Sequence, residues 1–221
     1  MTVLEIALLV IAFLVLHRKL VTLETQAPAP SLAPSRTQGR LGQMVDYADR
    51  LYSEKKWLAA EKAYLGILKV DHKNFTSYSH LGIIYSTQKN MPDAIECFEI
   101  AARLRPSGTS FQNLGLAFFD NKNYIKSIAA YEKAIMFEPA TPRFVGLSKA
   151  WHKLANHAQE VTALEKAAAL DPSSKVLELL SAAYVKAGRT SEAEAASQRA
   201  QMAKVHLPDK VPAEARAKAR A

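Results

Sequence analysis

Residues 75–107 read FTSYSHLGIIYSTQKNMPDAIECFEIAARLRPS, and residues 108–140 read GTSFQNLGLAFFDNKNYIKSIAAYEKAIMFEPA. Laid one on the other without a gap, they repeat the same residue types at the same places: Tyr78 with Phe111, Leu81 with Leu114, Gly82 with Gly115, Tyr85 with Phe118, Ala94 with Ser127, Phe98 with Tyr131, Ala101 with Ala134 and Pro106 with Pro139. The apolar members recur three and four residues apart, which is the period of an amphipathic helix. Each copy therefore predicts two helices and a turn. Small residues at Gly82 and Gly115 in the first helix, and at Ala94 and Ser127 in the second, let the two backbones approach closely, while the large residues fill the space around that contact.

The period continues outward in both directions. From Leu41, Met44, Tyr47, Ala48, Leu51, Ala60 and Tyr64 keep register, with Ile67 and His72 departing from it. From Thr141 the matching residues are Phe144, Leu147, Ser148, Trp151, Leu164, Ala167 and Pro172, but Glu160 replaces the small residue at the tightest crossing. From Ser174 they are Leu177, Leu180, Ser181, Tyr184, Ala193 and Ala200, with Ser197 where an aromatic is expected. No single pair can bury its apolar stripe alone, so neighbouring pairs must stack.

This pattern resembles the tetratricopeptide repeat (TPR) family. The resemblance implies an all-α, right-handed superhelix of about five helix-turn-helix repeats, at 41–74, 75–107, 108–140, 141–173 and 174–206. It also implies that ligands lie along an inner groove lined by the first helices. Carried onto this sequence, the groove positions include Asp46 and Asp49 in the first repeat, Ser79, His80 and Ile83 in the second, and Gln112, Asn113, Leu116, Phe119 and Asp120 in the third. The fourth contributes Val145, Lys149, His152 and Lys153, and the fifth Lys175, Glu178, Leu179 and Lys186. The groove is then acidic at one end and basic at the other, suited to an extended or helical protein segment with its own charge asymmetry. The candidate partner-binding set is Ser79, His80, Ile83, Gln112, Asn113, Leu116, Phe119, Lys149, His152 and Lys153. In that set Phe119 is expected to be an apolar anchor that does not lie between helices. The lysine and asparagine clamp of TPR co-chaperones is missing, because its positions hold Val45 and Asp49, Ser79 and Ile83, Gln112 and Leu116, and Val145 and Lys149.

Upstream of the repeats the chain changes character. Val3 to Leu16 (VLEIALLVIAFLVL) is apolar on every side of a helix apart from Glu5, which points to hydrocarbon and not to a surface helix with a polar face. Sixteen residues reach about 24 Å at ~1.5 Å per residue, a modest shortfall against a bilayer core of ~30 Å that Arg18 and Lys19 can offset by snorkelling. Residues 1–23 are thus expected to be a transmembrane anchor. A cleaved leader lacks its basic n-region, and a core helix would have nothing to bury against. Basic residues Arg18, Lys19, Arg36 and Arg40 follow the span and none precedes it, so the N-terminus should be outside and the repeats cytoplasmic. Residues 24–40 (ETQAPAPSLAPSRTQGR) suit an extended spacer, and 207–221 a basic, solvated tail.

The net charge of +8 lies partly in these termini, so nucleic acid is not an expected partner. A single cysteine, Cys97, excludes an internal disulfide and reads as a packed thiol on a second helix. Six histidines include no HExxH and no pair at recognisable metal-ligand spacing, and neither a phosphate loop nor a nucleophile motif is present, so no metal, cofactor or catalytic residue is expected. The sequon Asn74-Phe75-Thr76 reads as chance, at the junction between two repeats. These readings favour a membrane-tethered adaptor that holds a protein segment. A receptor for proteins awaiting translocation and a regulatory subunit of a membrane enzyme are the alternatives.

Overall fold

The computed structural model describes residues 36–206, and the expected anchor, most of the spacer and the tail lie outside them. Two compact units divide the chain, Met1–Gln43 and Met44–Ala221. The described residues form ten helices and no strand. They are α1 (Arg36–Ser53), α2 (Trp57–Val70), α3 (Phe75–Thr87), α4 (Met91–Leu104), α5 (Gly108–Asp120), α6 (Tyr124–Phe137), α7 (Thr141–Lys153), α8 (His157–Leu170), α9 (Ser174–Lys186) and α10 (Thr190–His206). Among these residues no helix is long and apolar enough to cross a membrane. The spacer expected to run to residue 40 stops earlier, since residues 36–40 are already helical. Pro34 is the last proline before them, and nothing after it prevents the helix from extending backwards.

Helices α3, α5, α7 and α9 begin at residues 75, 108, 141 and 174, one period apart. Each pairs with the helix that follows it, and each second helix packs on the next first helix, so that α4 meets α5, α6 meets α7 and α8 meets α9. The core is consequently a column running between the two layers. Its members come from the repeated positions: Ala94, Phe98, Leu114, Ala117, Phe118 and Ala130 in one cluster, and Leu164, Ala167, Leu177, Leu180, Tyr184, Ala193 and Ala200 in another. Two serines lock a pair by opposite routes. Ser127 on α6 donates to the carbonyl of Gly115 on α5 at 2.8 Å, whereas Ser181 on α9 donates to that of Ala193 on α10 at 2.8 Å. The Ser127 hydroxyl is fully buried, which is tolerated because it is hydrogen-bonded.

The turn inside each repeat has one geometry. Lys55, Lys89, Lys122, Ala155 and Gly188 all have positive φ, and the residue after each donates its N–H back to a carbonyl five positions earlier, as Asn90 does to Tyr85 and Asn156 to Trp151. This is a Schellman C-cap, for which glycine is the natural residue. Only the last repeat has one. A left-handed conformation costs an L-residue about 1–2 kcal/mol, against an entropic cost for glycine of ~0.5–1 kcal/mol. Ala155→Gly, at an exposed turn with φ of 54°, should therefore raise the thermal midpoint, with a gain of up to about 1 kcal/mol. An unchanged or lowered midpoint would show that this turn carries no strain. The second helices are capped by the same logic, Asn123 accepting from the N–H of Lys126 and Asn156 from that of Gln159. Asn74 plays this part for α3: its Oδ1 accepts from the Ser77 N–H at 2.9 Å, and its Nδ2 donates to Asp71. A helix cap accounts for the asparagine of the sequon.

Candidate functional site

Helices α3, α5, α7 and α9 share one exposed face, and along it lie three cavities that run into one another. One, of about 320 Å³, is lined by Ile83, Asn113, Leu116 and Asp120 among others. The second, of about 810 Å³, takes in Leu116 and Asp120 again and adds Gln112, Phe119, Val145, Lys149, Lys175 and Leu179. Phe119, Lys149 and Leu179 also bound the third, of about 330 Å³, together with His152, Lys153, Glu160 and Lys186. The floor is apolar and the rim at the α7–α9 end carries four lysines. Of the ten residues expected to face a partner, eight line these cavities: Ile83, Gln112, Asn113, Leu116, Phe119, Lys149, His152 and Lys153. Ser79 and His80 line none of the three.

His80 is instead packed at the junction of the first two repeats. Its ring stacks on Tyr52 with centroids 4.4 Å apart and lies 5.0 Å from Tyr64. Its Nδ1 stands 3.4 Å from Asp49 Oδ1, an ion-pair distance, while that oxygen accepts the Tyr64 hydroxyl at 2.7 Å. Burial lowers the His80 pKa from its ordinary 6.5, and the Asp49 carboxylate opposes the shift without overcoming it. The sign follows from linkage: the unfolded chain takes up the proton more readily. Stability from this group is complete above about pH 6.5 and is lost as pH falls through that value toward the folded pKa. His80→Phe, which keeps a ring on Tyr52, should flatten the decline in denaturant midpoint between pH 7 and 5. An unaltered decline would assign it to other groups.

Phe119 differs from expectation. Its ring meets Tyr124 edge-on at 5.5 Å and packs against the cluster of Ile128, Tyr131, Leu147, Ala150 and Ala163. It is both groove floor and core, because α6 starts directly beneath it. Leu116, 51% exposed, is the large apolar side chain that is free. Gln112 is also partly engaged, its Oε1 accepting from Arg143 Nε at 3.2 Å. Arg143 is itself buried, and it donates to the Glu138 carboxylate at 2.8 Å and to the Glu138 carbonyl. The guanidinium fits because residue 108 is glycine: a Cβ there would come within 2.6 Å of it.

Chemistry elsewhere is sparse. Burial, reinforced by Glu96 and Asp93, pushes the Cys97 thiol up to about 12, so it is protonated at neutral pH and acts as a packing group. One cluster was not foreseen from spacing. His152 at the end of α7 and His157 and Glu160 in the first turn of α8 bring one donor atom each within 4.8 Å of the others, both Nδ1 atoms lying at hydrogen-bond distance from Glu160 Oε2. The His157-x-x-Glu160 spacing on one helix face was visible in the sequence, but the approach of His152 depends on how α7 packs on α8.

A stack of helix pairs with a groove along its first helices defines an α-solenoid, an architecture that presents an extended surface. A family model described as the tetratricopeptide repeat matches residues 109–141, the stretch of α5 and α6. Solved structures of similar fold include MamA, at 22% identity and a TM-score of 0.71 over 78% of this chain and 96% of that one. Another is BtubC from P. vanneervenii, at 20% identity and a TM-score of 0.67 over 81% and 85% of the two chains. A third is YrrB, described as a TPR protein with an unusual peptide-binding site, at 16% identity and a TM-score of 0.64 over 85% and 99%. No curated protein matches the sequence.

Proposed function

We propose that this protein is a membrane-tethered adaptor that holds an acidic, partly apolar protein segment in the groove of α5, α7 and α9 and so recruits its owner to a membrane complex. The observation that carries this reading is the juxtaposition of an apolar floor, Leu116, Phe119, Val145 and Leu179, with Lys149, Lys153, Lys175 and Lys186 around it. An apolar side chain of the partner would fill the floor while its carboxylates meet the lysines, which steers the encounter and sets the direction of the bound segment. The likeness to YrrB is in keeping with a peptide as ligand.

The tether is the apolar run of residues 3–16, with the positive-inside pattern placing the repeats in the cytoplasm. Two measurements test the reading together. A photo-crosslinking amino acid at Leu116, activated in intact membranes, should capture a partner segment rich in Asp or Glu, while the same group at Met136 on the exposed side of α6 should capture none. Capture at Met136 alone sinks the groove assignment. External protease should leave the repeats intact on whole cells, and their digestion reverses the topology.

A further inference from the structure

We infer that His152, His157 and Glu160 form a binding site for a divalent transition-metal ion of the zinc or cobalt type, at the end of the groove. The argument begins with Glu160, which stands where other repeats have Ala60, Ala94, Ser127 and Ala193. Its side chain is 9% exposed, and a carboxylate so buried is costly unless it is compensated. Compensation comes from two imidazoles that turn the same nitrogen to the same oxygen, His152 Nδ1 at 3.0 Å and His157 Nδ1 at 3.1 Å from Oε2.

In the metal-free form both Nδ1–H groups donate to Oε2. Those separations are also close to the edge of a coordination tetrahedron: with metal–ligand bonds of ~2.0–2.1 Å the edge is about 3.3 Å. An ion would replace both hydrogen bonds once each neutral ring carries its proton on Nε2 instead of Nδ1. The two edges to Oε2 then need only a few tenths of an ångström, while the edge between the histidine nitrogens, within 4.8 Å, closes by rotation of the imidazoles. Two neutral histidines and one carboxylate form a donor set suited to zinc-like ions, and three protein ligands leave a fourth position open.

Both His152 and Glu160 line the cavity of about 330 Å³, through which an ion and a fourth donor can enter. Lys149, Lys153 and Lys186 line the same cavity, so the bound ion leaves the site positive and the fourth donor an anion, such as chloride or a carboxylate. Lys186 also competes directly. Its Nζ lies 3.5 Å from His152 Nε2, an arrangement that fits the metal-free tautomer, in which Nε2 accepts. Metal at Nδ1 requires the single proton of the neutral ring to sit on Nε2, which can then no longer accept, and the lysine must swing away.

The site does not depend on the identity of any protein partner. The test is titration of the full-length chain with CoCl2, followed by ZnCl2. Expected are one Co2+ per chain with the intense visible absorption of a four-coordinate site, its displacement by Zn2+, and a rise in thermal midpoint with the metal. His157→Ala and Glu160→Ala should each abolish the absorption. Glu160→Ala restores the residue that three other repeats carry at this position, so it should fold at least as well as the parent without metal. Lys186→Met should tighten binding several-fold by removing both a competing contact and a positive charge.

The inference is overturned if the chain takes up no cobalt, leaving a proton-bridged pair only. It is equally overturned if uptake survives in the Glu160→Ala and His157→Ala chains, or if Lys186→Met weakens it.

Discussion

Replacing Tyr131 with Ala is expected to lower the free energy of unfolding by about 3–5 kcal/mol, read from the denaturant midpoint at constant slope. The ring belongs to the second helix of the third repeat, is 4% exposed, and is gripped between two first helices. A Cβ on Gly115 of α5 would lie 3.1 Å from its Cδ2, and one on Gly146 of α7 would lie 2.4 Å from its Cζ. Tyr131 is therefore the wedge that sets the spacing of successive repeats, and deleting it opens a cavity that neither backbone can close without moving a whole helix pair.

The two glycines separate this account from a simple loss of bulk. Gly146→Ala should cost about 1–3 kcal/mol through overpacking, less the ~1 kcal/mol that alanine gains in helix propensity. Gly115→Ala, where the contact is only a few tenths of an ångström short, should fall near zero. Equal effects at the two positions would mean that the ring can slide, and the wedge description would fail.

Leu116→Ala is expected to weaken capture of the groove partner by about 1–3 kcal/mol, or roughly 5- to 150-fold, with the thermal midpoint unchanged. Its side chain projects from α5 into two of the three cavities and is half exposed, so little folding energy depends on it. Phe119→Ala should weaken capture similarly but also destabilise the fold by about 2 kcal/mol, roughly half the cost of deleting a fully buried ring, since Phe119 packs on Tyr124 and the cluster beneath. Charge supplies an independent arm. Lys149→Glu combined with Lys186→Glu should abolish capture of an acidic segment, and raising ionic strength should weaken capture by the parent chain. If the Leu116→Ala chain holds its partner at full strength while the lysine reversals also have no effect, the groove is not the binding face.

How much of this was legible before the fold was in hand differs from feature to feature. Gly82, Gly115, Tyr85 and Phe118 recur at one spacing because every repeat meets the same neighbours, and a recurring environment writes itself into the sequence as a period. Helix pairing and the start of α3, α5, α7 and α9 follow from that period, since side-chain direction on a helix is a function of position, while the face that lines the groove was implied by the resemblance to the tetratricopeptide family. What the period does not carry is any contact peculiar to one junction. Gly146 meets Tyr131 across 15 positions, Arg143 reaches Gln112 across 31, and His152 joins Glu160 only because α7 and α8 cross where a small residue has been replaced. Phe119 became core and not merely anchor because Tyr124 sits under it, and His80 left the groove to stack on Tyr52. Sequence by itself determined the repeating scaffold, and the family resemblance supplied the face to look at. Only the tertiary structure decided which side chains on that face are free to bind and which are already held, because that depends on distances across the helix and repeat boundaries that no local period encodes.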